Sequence, residues 1–310
     1  LYLGAAFTPV VVFSPFAFFD TTSGFFWGVL LHVLQTTGAL TIKLAQWASS
    51  RPDLFGDEYC LRFRHLQDRM RPHSLAQTEK QLDAMLGKLW RNYLVLEAEG
   101  LLGSGCIGQV HRATLTVGTT EVPVAIKVLH PGVHFSLNAD LAILRCIAHI
   151  AEFFFPDTYW LNPVGMANEF ERILRPQLDL RHEARNLDRF RSNFKKGHCH
   201  VIFPQPLQPF ITSSALVMSL IDGEPILEWA ARQEVDDSYD KYTTTVTAPP
   251  LSQRRAVVAK GVDAVLDMIF EHNFVHGDLH PGNILVTRDS NELAFVDAGI
   301  VVEYRQGDHE

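Results

Sequence analysis

The sequence predicts an α+β fold in two lobes, and three observations carry that prediction. Residues 92–130 are β-patterned, helical spacing governs 138–155, 163–195 and 254–271, and a loop rich in polar ligand types follows the last helix. With 310 residues, 47% of them apolar, the chain can bury a large core as one bilobal domain or two joined ones. A net charge of −8 argues against a broad nucleic-acid surface, although a nucleotide pocket needs only a few local cations.

Residues 1–42 hold a single charged side chain, Asp20, within two apolar stretches, 1–19 and 25–42. Each approaches the ~20 residues that cross a bilayer. The first contains Pro9 and Pro15, and the second contains His32, Gln35, Thr36 and Thr37, so a helix buried against protein competes with a span. Membrane contact is expected here. The chain opens on Leu1 rather than Met and stops eleven residues after Gly299, as expected of a fragment.

Residues 43–86 read as helical, punctuated by Pro52 and Pro72, with Arg62, Arg64, Arg69 and Arg71 as a solvated basic face. Strand patterning follows in Leu94–Leu96, Val110–Leu115 and Val122–Leu129, and Val117-Gly-Thr-Thr suits a hairpin between the last two. A helix over 138–155 presents Leu141, Leu144, Ile147 and Ala148 on one face. Pro176 breaks or kinks the helix expected over 163–195. Residues 215–220 read as a buried strand, 233–252 as a surface insertion, and 254–271 as a helix whose Val257, Val258, Val262, Val265, Leu266 and Ile269 are core candidates. The resulting domains are 1–42, an apolar segment; 43–91, a helical extension; 92–220, a small lobe with inserted helices; and 221–310, part of a large lobe.

Cys60, Cys106, Cys146 and Cys199 lie far apart, which excludes a Cys-x-x-Cys zinc motif and predicts buried or half-buried free thiols. His276 and His280 are four apart, yet Gly277 and Pro281 oppose a helix presenting both rings to a metal. Histidines that hold a loop through its backbone are the better reading.

Four segments carry chemistry. Gly103, Gly105 and Gly108, with Val110 after them, have the spacing of a phosphate-cradling turn, in which glycines allow unusual backbone angles and close approach. Dinucleotide-binding folds share that spacing but continue into a helix, whereas this chain continues into strands. Lys127 ends the apolar run Val124-Ala-Ile-Lys, where a buried ammonium needs an acidic partner; Glu169, Glu171 and Glu183 are candidates that spacing cannot separate. Asp278 and Asn283 sit in His276-Gly-Asp-Leu-His-Pro-Gly-Asn283, and Asp297 ends a further apolar run. Asp278 suits a group that orients or deprotonates a hydroxyl, and Asn283 and Asp297 are hard oxygen ligands suited to Mg²⁺.

Together these segments resemble the aarF-domain-containing, UbiB-type atypical kinase-like family. The resemblance covers about residues 35–305 and includes Lys43-Leu-Ala45-Gln46 for a Lys-x-Gly-Gln motif, Gln177-Leu-Asp179 for Glu-x-Asp, and His182-Glu183-Ala-Arg-Asn186. Ile107-Gly-Gln-Val-His-Arg-Ala and Val124-Ala-Ile-Lys-Val-Leu-His-Pro-Gly also fit. Departures are Ala45 for Gly, Gln177 for Glu, Ala298 for the Phe of Asp-Phe-Gly, and glycines where the family's loop is alanine-rich. The glycines resemble the branch named aarF domain-containing protein kinase two.

That resemblance implies a bilobal protein-kinase-like fold with an N-terminal helical extension and inserted helices, the large lobe being cut short after the Asp-Phe-Gly-like motif. It implies ATP or ADP with Mg²⁺, mitochondrial membrane association, and lipid or ubiquinone-pathway partners. By the same resemblance Glu183 orients Lys127, the backbone near Met218 borders the adenine, and Lys43, Gln46, Gln177 and Asp179 are regulatory. The expected activity is that of an atypical kinase or ATPase supporting ubiquinone biosynthesis. A nucleotide-sensing pseudokinase scaffold stands as the alternative, followed by a small-molecule phosphotransferase of the aminoglycoside or choline kinase type.

Overall fold

The computed structural model describes residues 72–154, 162–195, 201–231 and 249–304, with residues 25, 27–30, 32, 33 and 45 besides. The apolar stretch 1–19, Lys43, Gln46, the arginine cluster and most of the 233–252 insertion lie outside the described residues. Among the described residues no helix is long and apolar enough to cross a membrane.

The chain divides into two compact units, Leu1–Gln81 with Leu101–His111 and Val128–Leu178, and Leu82–Gly100 with Arg112–Lys127 and Asp179–Glu310. In chain order the elements are α1 (Leu75–Leu86), β1 (Leu94–Ser104), β2 (Gly108–Val117), β3 (Thr120–Leu129), α2 (Val133–Phe154), α3 (Pro163–Leu174) and α4 (Leu180–Phe194). They continue with β4 (Val201–Ile202), β5 (Pro206–Ile211), β6 (Ala215–Ser219), β7 (Gly223–Pro225), α5 (Ile226–Ala231) and α6 (Leu251–Leu266). The last four are β8 (Val275–His276), β9 (Ile284–Thr287), β10 (Leu293–Phe295) and β11 (Val301–Val302).

Within the first unit α2 and α3 pack together, joined by an Arg145–Glu171 ion pair and by Val164 N–H donating to Glu152 at 3.2 Å. α3 starts where its sequence allows. Asn162 accepts from Gly165 N–H at 3.0 Å as the N-cap, and Pro163 occupies a first-turn position that needs no N–H. Pro176 then interrupts the long helix through a 3₁₀ turn at Arg175–Leu178, and α4 starts afresh with Asp179 capping Arg181 N–H at 3.0 Å. α2 begins at Val133, five residues earlier than expected. Its Leu141 and Ala148 are buried but Ile147 is exposed, because only part of the apolar face meets another element.

In the second unit the five-stranded sheet runs β1-β2-β3-β6-β5. Gly118, at φ +65°, makes the tight β2–β3 turn that an L side chain would resist. The tips of β1, β2 and β3 pass into the first unit. A smaller sheet runs β4-β10-β9-β7, and β11 pairs with β8, Val301 opposite His276. An aromatic core supports both: Phe190 stacks on Phe203 at 4.8 Å between centroids and meets Phe274 at 4.6 Å, while Phe203 meets Phe295 edge-on at 5.6 Å.

Three expectations need correction. The large lobe, expected from its patterning to be mainly helical, holds five short strands after residue 221 as well as helices. α6 buries Val257 and Ala264 while Val258, Val262 and Leu266 are exposed; an apolar run cannot say which face finds a neighbour. Cys146 is exposed and Cys106 half-buried, so only the latter fits the half-buried thiol.

Candidate active site

Lys127 stands at the end of the strongly apolar half of β3, whose Val124, Ala125 and Ile126 are buried. Its ammonium lies 2.8 Å from Glu183 Oε1 and 2.7 Å from Asp297 Oδ2. Of the three carboxylates open from the sequence, Glu183 meets it. Glu169 pairs with Arg172, and Glu171 pairs with Arg145 and Arg175. Glu183 is 4% exposed, on the inner face of α4 beside Ala184 and Leu187.

Burial works against all three charges, and the arrangement answers it unequally. At Lys127 the two carboxylates outweigh burial and raise the ammonium's pKa. Asp297 also resists burial: the Lys127 cation, with Gly299 N–H donating to Oδ1 at 2.8 Å, holds its carboxyl far below the usual range. Glu183 fares worst. Burial, with Asp297's negative charge nearby, pushes it up to about 7 despite Lys127.

The loop carrying Asp278 and Asn283 is held by its own backbone. His276 is buried, its Nε2–H donating to the Asp297 carbonyl and its Nδ1 accepting from Asp278 N–H at 3.2 Å. One neutral ring thus ties the Asp278 loop to the Asp297 segment, and burial keeps the ring's pKa low. His280 Nδ1 accepts from Gly282 N–H at 3.1 Å, capping the 3₁₀ turn Pro281–Asn283. Both histidines hold the loop, as their spacing around Gly277 and Pro281 suggests. Asn283 Nδ2 donates to the Asp278 carbonyl at 3.0 Å, which leaves its Oδ1 as the end that could face a metal. The Asp297 carboxylate, kept ionised, is a second hard ligand; the pair fits Mg²⁺ chemistry. Asn186 Nδ2 donates to the Ala298 carbonyl at 2.8 Å, a contact missed from spacing because its partner is 112 residues away.

Met218 lies buried in β6, opposite Pro206 of β5. Asp179 serves as the α4 cap and pairs with Arg181 at 2.7 Å, while Gln177 Nε2 donates to the Ile173 carbonyl at 3.1 Å. These contacts account for both side chains locally.

The glycine turn belongs to the first unit. Gly105 N–H donates to the Gly108 carbonyl at 2.9 Å, closing the turn between β1 and β2, with half-buried Val110 in β2. None of its three glycines has positive φ, contrary to the expectation that they supply unusual angles. Gly108 is needed for close approach: a Cβ there would lie 2.5 Å from the Val128 carbonyl oxygen. At Gly103 a Cβ meets nothing within 4 Å, and at Gly105 it would make ordinary contact at 3.7 Å. Alanine therefore fits two of the three positions.

Lys127 shared by Glu183 and Asp297, with Asn283 nearby in sequence order, forms the candidate site, and comparison with known proteins gives its family. Residues 65–310 match the ABC1 atypical kinase-like domain. The chain belongs to the ABC1 atypical kinase-like family. It is 32% identical to "Probable serine/threonine-protein kinase abkC" of Dictyostelium discoideum over 98% of this chain and 41% of that protein. It is 31% identical to "Probable protein kinase UbiB" of Histophilus somni over 89% of this chain and 48% of that one. A mitochondrial ABC1 family protein of Schizosaccharomyces pombe is 28% identical over 90% of this chain and 43% of its own length. The chain thus spans about half the length of the curated relatives it matches. Among solved structures, the Rv3197–erythromycin complex from Mycobacterium tuberculosis aligns with a TM-score of 0.57 at 25% identity, covering 86% of this chain and 59% of that one. The family and the mixed helix–sheet fold place the chain in the atypical kinase class, as the sequence resemblance implies.

Proposed function

We propose that this chain binds a magnesium nucleoside triphosphate and, in the full-length protein, acts as an atypical kinase or ATPase. The observation that carries this is Lys127, held between Glu183 and Asp297 at 2.8 and 2.7 Å. A cation fixed in the buried half of a strand, still carrying charge, is what the α- and β-phosphates of a nucleotide need. Asp297 and Asn283 would hold Mg²⁺, which would supply positive charge to offset that of the phosphoryl groups.

Each residue of the chain then has one task. Lys127 trades part of its interaction with Asp297 for phosphate oxygens, and Glu183 keeps it aimed. Asp278, positioned by its backbone bond to His276 at 3.2 Å, accepts or orients the proton of the attacking hydroxyl or water. The backbone near Met218 would border the base, and the Gly103–Gly108 turn with Val110 would offer phosphate amides other than that of Gly105, which the Gly108 carbonyl holds at 2.9 Å. Lys43, Gln46, Gln177 and Asp179 would restrict access of an acceptor. Relatives named UbiB and a mitochondrial relative support a role in ubiquinone biosynthesis and mitochondrial lipid metabolism, at a membrane.

One observation favours a second reading, a nucleotide-sensing scaffold. Lys127 already neutralises the carboxylate that would bind metal. The deciding measurement is Mg²⁺-dependent ATP binding and ADP release by the full-length protein, beside Asp297→Asn. Turnover lost in the variant supports the enzyme, binding without turnover supports the scaffold, and the absence of binding overturns both.

A further inference from the structure

A second polar cluster lies in the first unit, and neither the fold class nor the nucleotide reading calls for it. It comprises His73, Thr78, Gln109, His111 and His130, with Thr78, Gln109 and His111 buried. Gln109, the residue after Gly108, grips the backbone of His73 twice. Its Oε1 accepts from His73 N–H at 2.9 Å, and its Nε2 donates to the His73 carbonyl at 3.1 Å. The His73 and His130 rings meet through their Nδ1 atoms at 2.9 Å. His130 holds the glycine turn at two points, its backbone N–H donating to the Ile107 carbonyl at 2.8 Å and its Nε2 lying 2.9 Å from the Gly105 carbonyl oxygen.

The protons follow from the last contact. A carbonyl only accepts, so His130 Nε2 carries a hydrogen and, in the neutral ring, its Nδ1 is an acceptor. His73 Nδ1 must therefore donate to it, which leaves His73 Nε2 as an acceptor for the Thr78 hydroxyl at 3.0 Å. The Gln109 amide has two hydrogens; one serves the His73 carbonyl and the other His111 Nε2, 2.7 Å away. With the rings neutral, each of these bonds has one donor and one acceptor, and the longer 3.3 Å approaches of the Thr78 hydroxyl to Gln109 Nε2 and His111 Nε2 are left without a hydrogen of their own. The chain of bonds runs in one direction, from Thr78 through His73 and His130 to the Gly105 carbonyl. An extra proton on His130 would force His73 into its other tautomer and reverse its bonds to His130 and Thr78.

We propose that His130 is a positioning residue for the Gly103–Gly108 turn, that His73 fixes its tautomer, and that the segment leading into α1 thereby sets the turn before nucleotide arrives. A Cβ at Gly103 would meet nothing within 4 Å and one at Gly105 only the Gly108 carbonyl, so the turn's first half is packed loosely. The bonds from His130 tether it from outside. This rests on the nucleotide reading only in what the turn is for; the tether itself does not depend on it.

The test compares full-length wild-type protein with His130→Phe, His73→Phe and His130→Gln, the last keeping a donor near the Nε2 position. Hydrogen exchange of the apo proteins reports the turn directly. The amides of 103–108 should exchange about fivefold faster in both Phe variants, the equivalent of about one hydrogen bond, and His130→Gln should restore protection. ATP affinity should fall by a similar factor in the Phe variants while adenosine affinity holds, since the turn meets phosphate rather than base. Unchanged exchange in the turn overturns the proposal. So does faster exchange spread through the whole chain with a lowered melting temperature, because the histidines would then merely hold the fold. If wild-type protein binds neither ligand, the nucleotide reading falls, and the exchange result still decides the tether.

Discussion

Two polar clusters are built into this chain on opposite principles. Lys127, Glu183 and Asp297 place one positive and two acidic groups within 2.8 Å contacts, in the buried half of β3. His73, His111 and His130 sit among Thr78 and Gln109 with every ring neutral. Charges drawn at least partly out of water stabilise little even when paired, since desolvation consumes most of the attraction. They suit a place where a charged ligand will arrive. Neutral donors and acceptors are cheaper to bury and directional, which suits a tie that must hold one geometry. The first cluster is arranged to be rearranged, and the second to stay as it is.

The sharpest way to break this contrast is Lys127→Met. Turnover of the full-length protein should fall by ~10²–10³, the scale for losing one electrostatic contact to a transition state. Stability should fall by well under the ~3–5 kcal/mol typical of an orphaned buried charge, because Glu183 can take a proton. Urea denaturation beside a turnover assay checks both, and a large loss of stability would show that the cluster is structural.

Next in size is the contrast among the glycines. Gly108→Ala should cost ~1–3 kcal/mol, since a Cβ 2.5 Å from the Val128 carbonyl oxygen forces backbone apart. Gly103→Ala should stay within ~0.5 kcal/mol. Equal effects in denaturation would contradict the close approach of β2 and β3.

The pH dependence separates the clusters by sign. Burial raises Glu183 from 4.5 unfolded to about 7 folded, so its contribution is fully present below 4.5 and lost as pH rises through about 7. His73 behaves oppositely. Burial, helped by His130 and His111, lowers it from 6.5 to about 4, so its contribution is full above 6.5 and lost as pH falls toward 4. Asp297, depressed below its ordinary 3.8, contributes change only at lower pH than either. Glu183→Gln should remove the loss on the alkaline side. His73→Phe should remove the loss on the acid side, the smallest of these effects, because the half-buried ring is partly screened by solvent. Melting temperatures from pH 4 to 8 read both, and a slope unchanged by either substitution would break the pairing of sign with cluster.

Much of this architecture was legible. The β2–β3 turn follows from Gly118, the α3–α4 break from Pro176, and the loop-holding histidines from Gly277 and Pro281. These are local consequences of backbone chemistry, readable within a few residues. Apolar faces were less so: Val258, Val262 and Ile147 fit a helical stripe yet are exposed. β5 also went unread, since Pro206-Leu-Gln-Pro-Phe-Ile has little strand patterning and pairs with β6 through a shifted register.

The sequence by itself determined the residue types of the site and their order, Lys127, Glu183, Asp278, Asn283 and Asp297, together with the family they belong to. That is possible because each chemical role demands a particular side chain in a particular local setting. Spacing could not separate Glu183, which the family resemblance favoured, from Glu169 and Glu171; only the tertiary structure put it against Lys127, left Gly108 alone among the turn's glycines without room for a Cβ, and joined His73 and His130 in one chain of hydrogen bonds. Those depend on contacts between residues 56, 20 and 57 positions apart, such as Lys127 with Glu183, Gly108 with Val128, and His73 with His130. No local propensity encodes a distance across the fold; packing does.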